Sequence, residues 1–235
     1  MKGRPIIMSG GEVRAILEGR KTQTRRVIDP QPHDMPEGAY IDPYNHNYEH
    51  FTAWTADHKM LLNCGGNIKN TAHWKCPYGN IGDRLWVREN WGVVSHTFDE
   101  NENICDWKPN RPATPIQELK FGTGYYDGHV IYEADGGFEW NAGDDCSIET
   151  KSDWKSSMFM PRSASRITLE ITDIRVERLQ DITEEDALKE GFHNYGTEVD
   201  TLDAFCEAWQ KLNVKRGYPW ELNPWVWVLT FKVVQ

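Results

Sequence analysis

The stretch from Arg20 to Arg26 combines cationic and hydroxyl side chains. It reads RKTQTRR, and residues 1–28 together carry seven Lys or Arg against two acids, a local net charge of +5. Guanidinium, ammonium and hydroxyl groups are the side chains that commonly bind phosphate oxygens. The stretch therefore predicts a phosphate-bearing ligand, with Arg20, Arg25 and Arg26 as binding candidates. The alternative is that these are solvated cations and that Thr24 is an ordinary strand hydroxyl.

A second polar surface is predicted around residues 82–89. This segment reads GDRLWVRE and alternates apolar with polar side chains. The alternation predicts a strand with Leu85 and Val87 on one face and Arg84, Trp86 and Arg88 on the other. The polar face is typical of a strand that contributes to a binding site.

Further candidates for substrate binding lie close to this strand or farther along the chain. Glu89 is a candidate acid, with a surface ion pair as the alternative. Trp86 and Trp91, two of the 11 Trp of the chain, could stack a base or pack in the core. Arg162 and Arg166 could bind phosphate or pair with nearby acids.

One group of side chains has the types that bind zinc, namely Cys64, His73 and Cys76. No CxxC pair and no fourth ligand accompany it. The five cysteines are odd in number and widely spaced, so they predict no disulfide framework. The sequence also lacks GxSxG, GxxxxGK[ST] and a GxGxxG that follows a strand. We therefore expect no metal and no cofactor.

Composition narrows the class of protein. The chain has 235 residues, 39% apolar content and a net charge of -10, which suits one enlarged domain with a sizeable core. An acidic chain is a poor match for a protein that coats nucleic acid over its whole surface, although a local basic site fits. Mean hydropathy is -0.68, and no apolar run approaches the ~18 residues of a membrane span. We expect a cytoplasmic protein without a membrane partner.

Periodicity predicts helices and strands without a repeating βαβ order. The predicted elements are, in chain order, a helix over 12–18 that ends at Gly19, the strand over 82–89, a strand-like segment over 129–134, a long bulged strand or two joined strands over 165–179, a helix over 181–191, a helix over about 202–212 and a strand over 225–233. Thr183 and Asp186 are typical of a helix start, and Gly191 of a helix end. Residues 30–80 and 95–160 are expected to be irregular insertions, the first with a short strand or hairpin.

These elements predict the α+β class, with a small barrel flanked by short helices in a single domain over residues 1–235. The order of four segments resembles the ASCH domain, a PUA-like β-barrel: GRKTQTRR, GDRLWVRE, SRITLEITDIRVERLQDITEEDALKEG and WVWVLTFKV. The resemblance covers residues 1–30, 80–95 and 160–235. It is closest to enlarged ASCH proteins carried by bacteriophages and prophages, often labelled morphogenetic proteins.

The resemblance implies a nucleic-acid or modified-nucleoside ligand, because PUA-like domains bind RNA and small ASCH enzymes hydrolyse the amide of N4-acetylcytidine. It also implies a catalytic set of Lys21, Thr24 and Glu190, in which Thr24 is the nucleophile. Lys21 would act as the base if neighbouring cations favour loss of its proton, and Glu190 would relay that proton. The alternative is a non-catalytic module that binds RNA or single-stranded DNA.

Overall fold

The computed structural model describes residues 3–29, 31, 40–42, 52–54, 76–138, 154–193 and 200–234. The elements are, in chain order, β1 (Gly3–Ile7), α1 (Gly10–Leu17), β2 (Gln23–Val27), β3 (Tyr40–Asp42), β4 (Thr52–Trp54), β5 (Arg84–Arg88), β6 (Trp91–Val94), β7 (His96–Phe98), β8 (Ile104–Asp106), β9 (Thr114–Phe121), β10 (Gly124–Tyr132), β11 (Thr168–Arg178), α2 (Glu184–Lys189), α3 (Thr201–Asn213) and β12 (Trp225–Val233). Short 3-10 turns include Glu133–Asp135, Ser157–Phe159 and Arg162–Ala164.

The chain divides into two compact units. The first unit consists of Met1–Lys2, Glu18–Arg84 and Glu170–Lys232, and the second of Gly3–Leu17, Leu85–Leu169 and Val233–Gln235. Each unit is therefore assembled from chain segments that are distant in sequence. Strands and helices occur together, which confirms the predicted α+β class.

In the first unit, β11, β12 and β2 are neighbouring strands in that order. The pairing of β2 with β12 is antiparallel and unbroken from Gln23 opposite Thr230 to Val27 opposite Val226. Side chains alternate between the two faces of a regular strand. Arg25 therefore shares a face with Gln23 and Val27, whereas Thr24 lies on the other face.

Helices α2 and α3 supply the apolar core of the first unit. Ala187 of α2 and Phe205 and Trp209 of α3 are buried in one cluster with Val226 and Val228 of β12. These valines face the same side of the strand pair as Arg25, because Val228 is the partner of Arg25 across the pair. Residues of α2 thus come to lie on the side of β2 that carries Arg25.

Local sequence signals set both ends of α2. The Thr183 hydroxyl accepts a hydrogen bond from the Asp186 backbone N–H at 3.2 Å, which confirms the predicted start. Gly191 has a φ of +94°, a conformation that glycine adopts without strain. Its N–H donates to Leu188 O at 2.9 Å and the next N–H, of Phe192, donates to Ala187 O at 3.1 Å. These two bonds form a Schellman motif, which places Glu190 at the end of the helix.

The second unit contains a three-stranded antiparallel sheet in the order β6-β10-β9. Trp91, Val130 and Tyr132 are fully buried in its core with Met160 and Ala164. Gly128 makes the close packing of β10 possible, because a Cβ at this position would lie 2.5 Å from Val94 O. In the same unit, β1 lies beside β5.

Several predicted elements are confirmed. They are the helix that ends before Gly19, the strand at Arg84–Arg88, the single long strand β11, both C-terminal helices and the final strand. The buried positions of β11 shift by one residue between Ile171 and Ile174, as expected for the predicted bulged strand. The predicted short hairpin in the first insertion corresponds to β3 paired with β4.

Two predictions differ from the structure, and a third concerns residues that lie outside the described part of the chain. Residues 95–160 were expected to be irregular apart from one strand, yet they contain β7, β8, β9 and β10. The prediction missed β9 because half of its residues are exposed, only one is buried, and its apolar residues alternate weakly. In the part of the chain that is described, every sheet ends in two edge strands, so no closed barrel is observed. Cys64 and His73 lie outside the described residues.

No helix among the described residues is long and apolar enough to cross a membrane.

The end of α2 provides a test of this architecture. We expect Gly191→Ala to lower the free energy of unfolding by about 1–2 kcal/mol, because an L-residue is strained at this positive φ. Gly11→Ala in α1 is the matched control, since a Cβ there meets no atom within 4 Å. Urea denaturation of both variants measures the difference. Equal stability of the two variants would contradict the Schellman motif at Gly191.

Candidate functional site

The segment from Arg20 to Thr22 binds to the C-terminal end of α2. Three consecutive carbonyls accept its donors: Lys189 O accepts from the Thr22 N–H at 2.8 Å, Glu190 O from Lys21 Nζ at 3.0 Å and Gly191 O from Arg20 Nη1 at 2.8 Å. Carbonyls at a helix end lack intrahelical partners and carry partial negative charge. The cationic segment therefore binds the carbonyl groups at the C-terminal end of α2.

The Lys21 side chain forms a buried ion pair with Glu190. Lys21 Nζ lies 2.8 Å from Glu190 Oε2, and the two residues are 2% and 5% exposed. The other carboxylate oxygen, Oε1, accepts from Arg25 Nη1 at 3.3 Å. Each oxygen of Glu190 thus has its own cation, which fixes the plane of the carboxylate.

Arg25 links Glu190 to two further acids. Its Nη2 lies 3.1 Å from Glu177 Oε2 and 3.0 Å from Asp186 Oδ2. Arg175 contacts the same two acids, with Nε 2.6 Å from Glu177 Oε1 and Nη2 3.5 Å from Asp186 Oδ2. The Arg25 side chain is fully buried, and its Nε has no hydrogen-bond partner among the described residues.

Asp186 is stabilised as a carboxylate in this network. Burial alone would raise the pKa of Asp186, but Arg25, assisted by Arg175 and the nearby Gln23 amide, holds it below the ordinary value. The acid is therefore charged in the folded protein over a wider pH range than in the unfolded chain.

Sequence reasoning did not assign Glu177, Asp186 or Arg175 to the site. Two signals were present. Asp186 and Glu190 are four residues apart and so share one helix face, and Arg175 and Glu177 are two residues apart and so share one strand face. What the sequence could not show is that Arg25 lies against both faces.

Among the residues proposed as catalytic, Lys21 and Glu190 are brought together directly. Thr24 is 1% exposed and lies on the opposite face of β2 from Arg25. In the part of the chain that is described, its hydroxyl makes no hydrogen bond to Lys21 or Glu190. The described residues thus bring Lys21 and Glu190 together but do not bring the Thr24 hydroxyl to this pair.

The other cations of the basic stretch are also engaged. Arg20 Nε lies 2.6 Å from Glu18 Oε2. Arg26 is partly buried in β2. Burial raises the pKa of Tyr78, and the positive charge of Arg26 partly opposes this rise. Because Lys21 and Arg25 are buried and paired with acids, they do not present their charge to a phosphate at the surface.

In the second unit, Arg166 is paired with two acids. Its Nε and Nη2 donate to the two oxygens of Glu89, each at 3.0 Å, and its Nη1 donates to Asp135 Oδ2 at 2.7 Å. Its guanidinium carbon also lies 3.9 Å from the centre of the Tyr132 ring. All three guanidinium nitrogens are therefore used within the protein, so Arg166 has a structural partner in Glu89.

Burial dominates the acid-base properties of this cluster. It raises the pKa of Glu89 despite the opposing effect of Arg166, and it raises the pKa of Tyr132 to about 12. The Tyr132 hydroxyl donates to Ala164 O at 3.0 Å and contacts the Thr114 hydroxyl. The cluster thus consists of two hydrogen-bonded groups, which are joined by the contact between the Arg166 guanidinium and the Tyr132 ring.

The remaining candidates include the two tryptophans that were predicted to stack a base or to pack in the core. Trp91 is fully buried and its ring centre lies 5.0 Å from that of Phe121, so its faces are covered by protein. Trp86 is 7% exposed, and the guanidinium groups of Arg88 and Arg162 lie over its ring.

Among the described residues no cluster of His, Cys, Asp and Glu could hold a metal ion.

Comparisons with protein-family models, with curated proteins and with solved structures found no match for this chain.

The buried ion pairs predict a large loss of stability in Glu190→Ala. This change leaves Lys21 and Arg25 buried without their shared acid, and we expect the free energy of unfolding to fall by about 3–5 kcal/mol. Glu185→Ala on the same helix is the control, because Glu185 is 76% exposed in its pair with Lys189, and we expect a change within about 0.5 kcal/mol. Chemical denaturation measures both. Similar effects in the two variants would contradict the buried network.

The lowered pKa of Asp186 predicts a contribution to stability that depends on pH. Its folded-state pKa lies below the unfolded value of about 3.9, so the charged form stabilises the folded protein above that pH. This contribution disappears as the pH falls through the folded-state pKa. We expect Asp186→Asn to be less stable than the parent at pH 6 and to lose less stability on acidification.

Urea midpoints at pH 6 and at pH 3 measure this effect, with Asp203→Asn on the exposed side of α3 as the control. A parent and an Asp186→Asn variant with parallel pH dependence would refute the assignment.

Proposed function

We propose that the protein binds a modified nucleoside and hydrolyses the amide of an N4-acylated cytidine. The observation that carries the proposal is the 2.8 Å contact between Lys21 Nζ and Glu190 Oε2, two buried side chains that are 169 positions apart. Such a pair can exchange a proton within one hydrogen bond. It lies at the segment that resembles the ASCH motif, so the proposal includes membership of the PUA-like ASCH family.

The chemistry begins with a proton transfer inside the pair. When the Lys21 ammonium gives its proton to Glu190, the resulting amine is a base for the Thr24 hydroxyl. The Thr24 oxygen then attacks the acyl carbonyl of the substrate, and its proton passes to Lys21. This step requires the Thr24 hydroxyl, which lies on the opposite face of β2 from Arg25, to reach Lys21 when the substrate binds.

The second half of the reaction returns the enzyme to its starting form. The carbon–nitrogen bond breaks as the exocyclic nitrogen of cytidine takes the proton from Lys21, which leaves an acyl ester on Thr24. Water, activated by the same amine, hydrolyses the ester and releases the carboxylic acid. The sum is amide plus water to amine plus acid, and no other reactant is needed.

Arg25 has a supporting part in this scheme. It holds Oε1 of Glu190 and leaves Oε2 for Lys21. Asp186 and Glu177 in turn hold Arg25, so the carboxylate that receives the proton keeps one orientation. A fixed orientation favours proton transfer because no rearrangement is needed during the step.

The proposal predicts that Thr24→Ala abolishes turnover. Purified protein is incubated with N4-acetylcytidine, and cytidine is measured by chromatography. We expect turnover to fall by at least ~10³-fold in Thr24→Ala, with the affinity for the nucleoside nearly unchanged. Thr22→Ala is the matched control, because it removes the same groups from a neighbouring, partly buried residue.

Three results would decide against the hydrolase. They are full activity in Thr24→Ala, an equal loss in Thr22→Ala, and no cytidine from the unmodified protein. The last result, together with retained nucleic-acid binding, would favour the alternative of a non-catalytic RNA or single-stranded DNA module.

A further inference from the structure

Two arginines of the second unit share one tryptophan ring. The guanidinium carbon of Arg88 lies 4.7 Å from the ring centre of Trp86, and that of Arg162 lies 5.9 Å from it. Attraction to the indole face holds a guanidinium in place without neutralising its charge. Two positive charges thus lie against the same ring.

Each guanidinium is also fixed by a neutral oxygen. Arg88 Nη1 donates to Met158 O at 3.0 Å, and Arg162 Nη2 donates to Thr168 Oγ1 at 3.0 Å. The turn that supplies Met158 O is itself fixed, because the Ser157 N–H donates to Asn90 Oδ1 at 2.9 Å. The two groups are therefore preorganised and keep their charge.

No acid among the described residues forms an ion pair with either guanidinium group. Within the described part of the chain, neither Arg88 nor Arg162 forms an ion pair, whereas Arg166 nearby in sequence has two. Arg88 Nε is buried and has no acceptor among the described residues. In a chain with a net charge of -10, two fixed arginines without an acid form a local cationic site.

We propose that Arg88 and Arg162, held by Trp86, form a clamp for a phosphate group of a nucleotide or of single-stranded nucleic acid. The planar guanidinium fork matches the oxygens of a phosphate, and two such forks around one anion give strong, charge-assisted hydrogen bonds.

Exposed apolar side chains next to the clamp favour a nucleotide over a bare phosphate. Met158 and Phe159 are 59% and 63% exposed, and they belong to the 3-10 turn whose carbonyl holds Arg88. An exposed aromatic ring beside a cationic site is a platform on which a base can stack. The clamp stands independently of the proposed hydrolysis, because N4-acetylcytidine itself carries no phosphate.

The test measures binding of a fluorescein-labelled dodecathymidine by the full chain at several salt concentrations. We expect the double variant Arg88→Gln/Arg162→Gln to bind at least ~10-fold more weakly at low salt. We also expect its slope of log K against log salt to be shallower by about 0.7, because the clamp neutralises one phosphate of the single strand. Competition with CMP, and with cytidine as its phosphate-free match, distinguishes a free nucleotide from a strand as the source of the phosphate.

The matched control is Lys108→Gln/Lys120→Gln, which removes two positive charges from exposed positions of the same unit. Arg162→Gln alone is the second variant, because Arg162 is exposed and its loss leaves the core intact; we expect about half of the change in slope. The clamp is overturned if the parent does not bind the oligonucleotide, if both arginine variants bind as the parent does, or if the lysine control loses as much affinity. The clamp is supported if CMP competes with the oligonucleotide and cytidine does not, or if neither of them competes.

Discussion

The ion pair between Lys21 and Glu190 is the interaction on which the first unit depends. Both groups are charged and both are buried, so each is stable in the interior only because the other is there. The pair joins the segment before β2 to the end of α2, and the backbone bonds of Thr22 and Arg20 to the same helix end reinforce that link. The position of α2 over the strand pair follows from this contact and from the apolar cluster beside it.

Arg25 extends the same constraint to β11. A single guanidinium contacts acids of α2 and of β11 and so fixes both against β2. Burial of three charged residues in one network is costly unless every member is paired. The pairing in this network holds Glu190 in one orientation, which is also what a proton relay requires. Stability and the proposed chemistry thus draw on the same contacts.

The sequence allowed the local features of this site to be predicted, but not its long-range contacts. Thr183 and Gly191 mark the ends of α2 by their own hydrogen-bonding and backbone preferences, and the structure confirms both. Arg25, in contrast, looks like a surface cation in the sequence, because nothing near it in the chain indicates that three acids will surround it. Contacts across ~150 positions depend on tertiary packing, which local propensity does not encode.

The central claim is that Lys21 and Glu190 act as one unit in hydrolysis. The most direct measurement is the turnover of N4-acetylcytidine by Lys21→Met, by Glu190→Gln and by the double variant, each shown to be folded. If the two side chains share one proton, the double variant is about as slow as either single variant, since losing one member already disables the pair. Losses that multiply in the double variant, or a single variant with parental turnover, would contradict the claim.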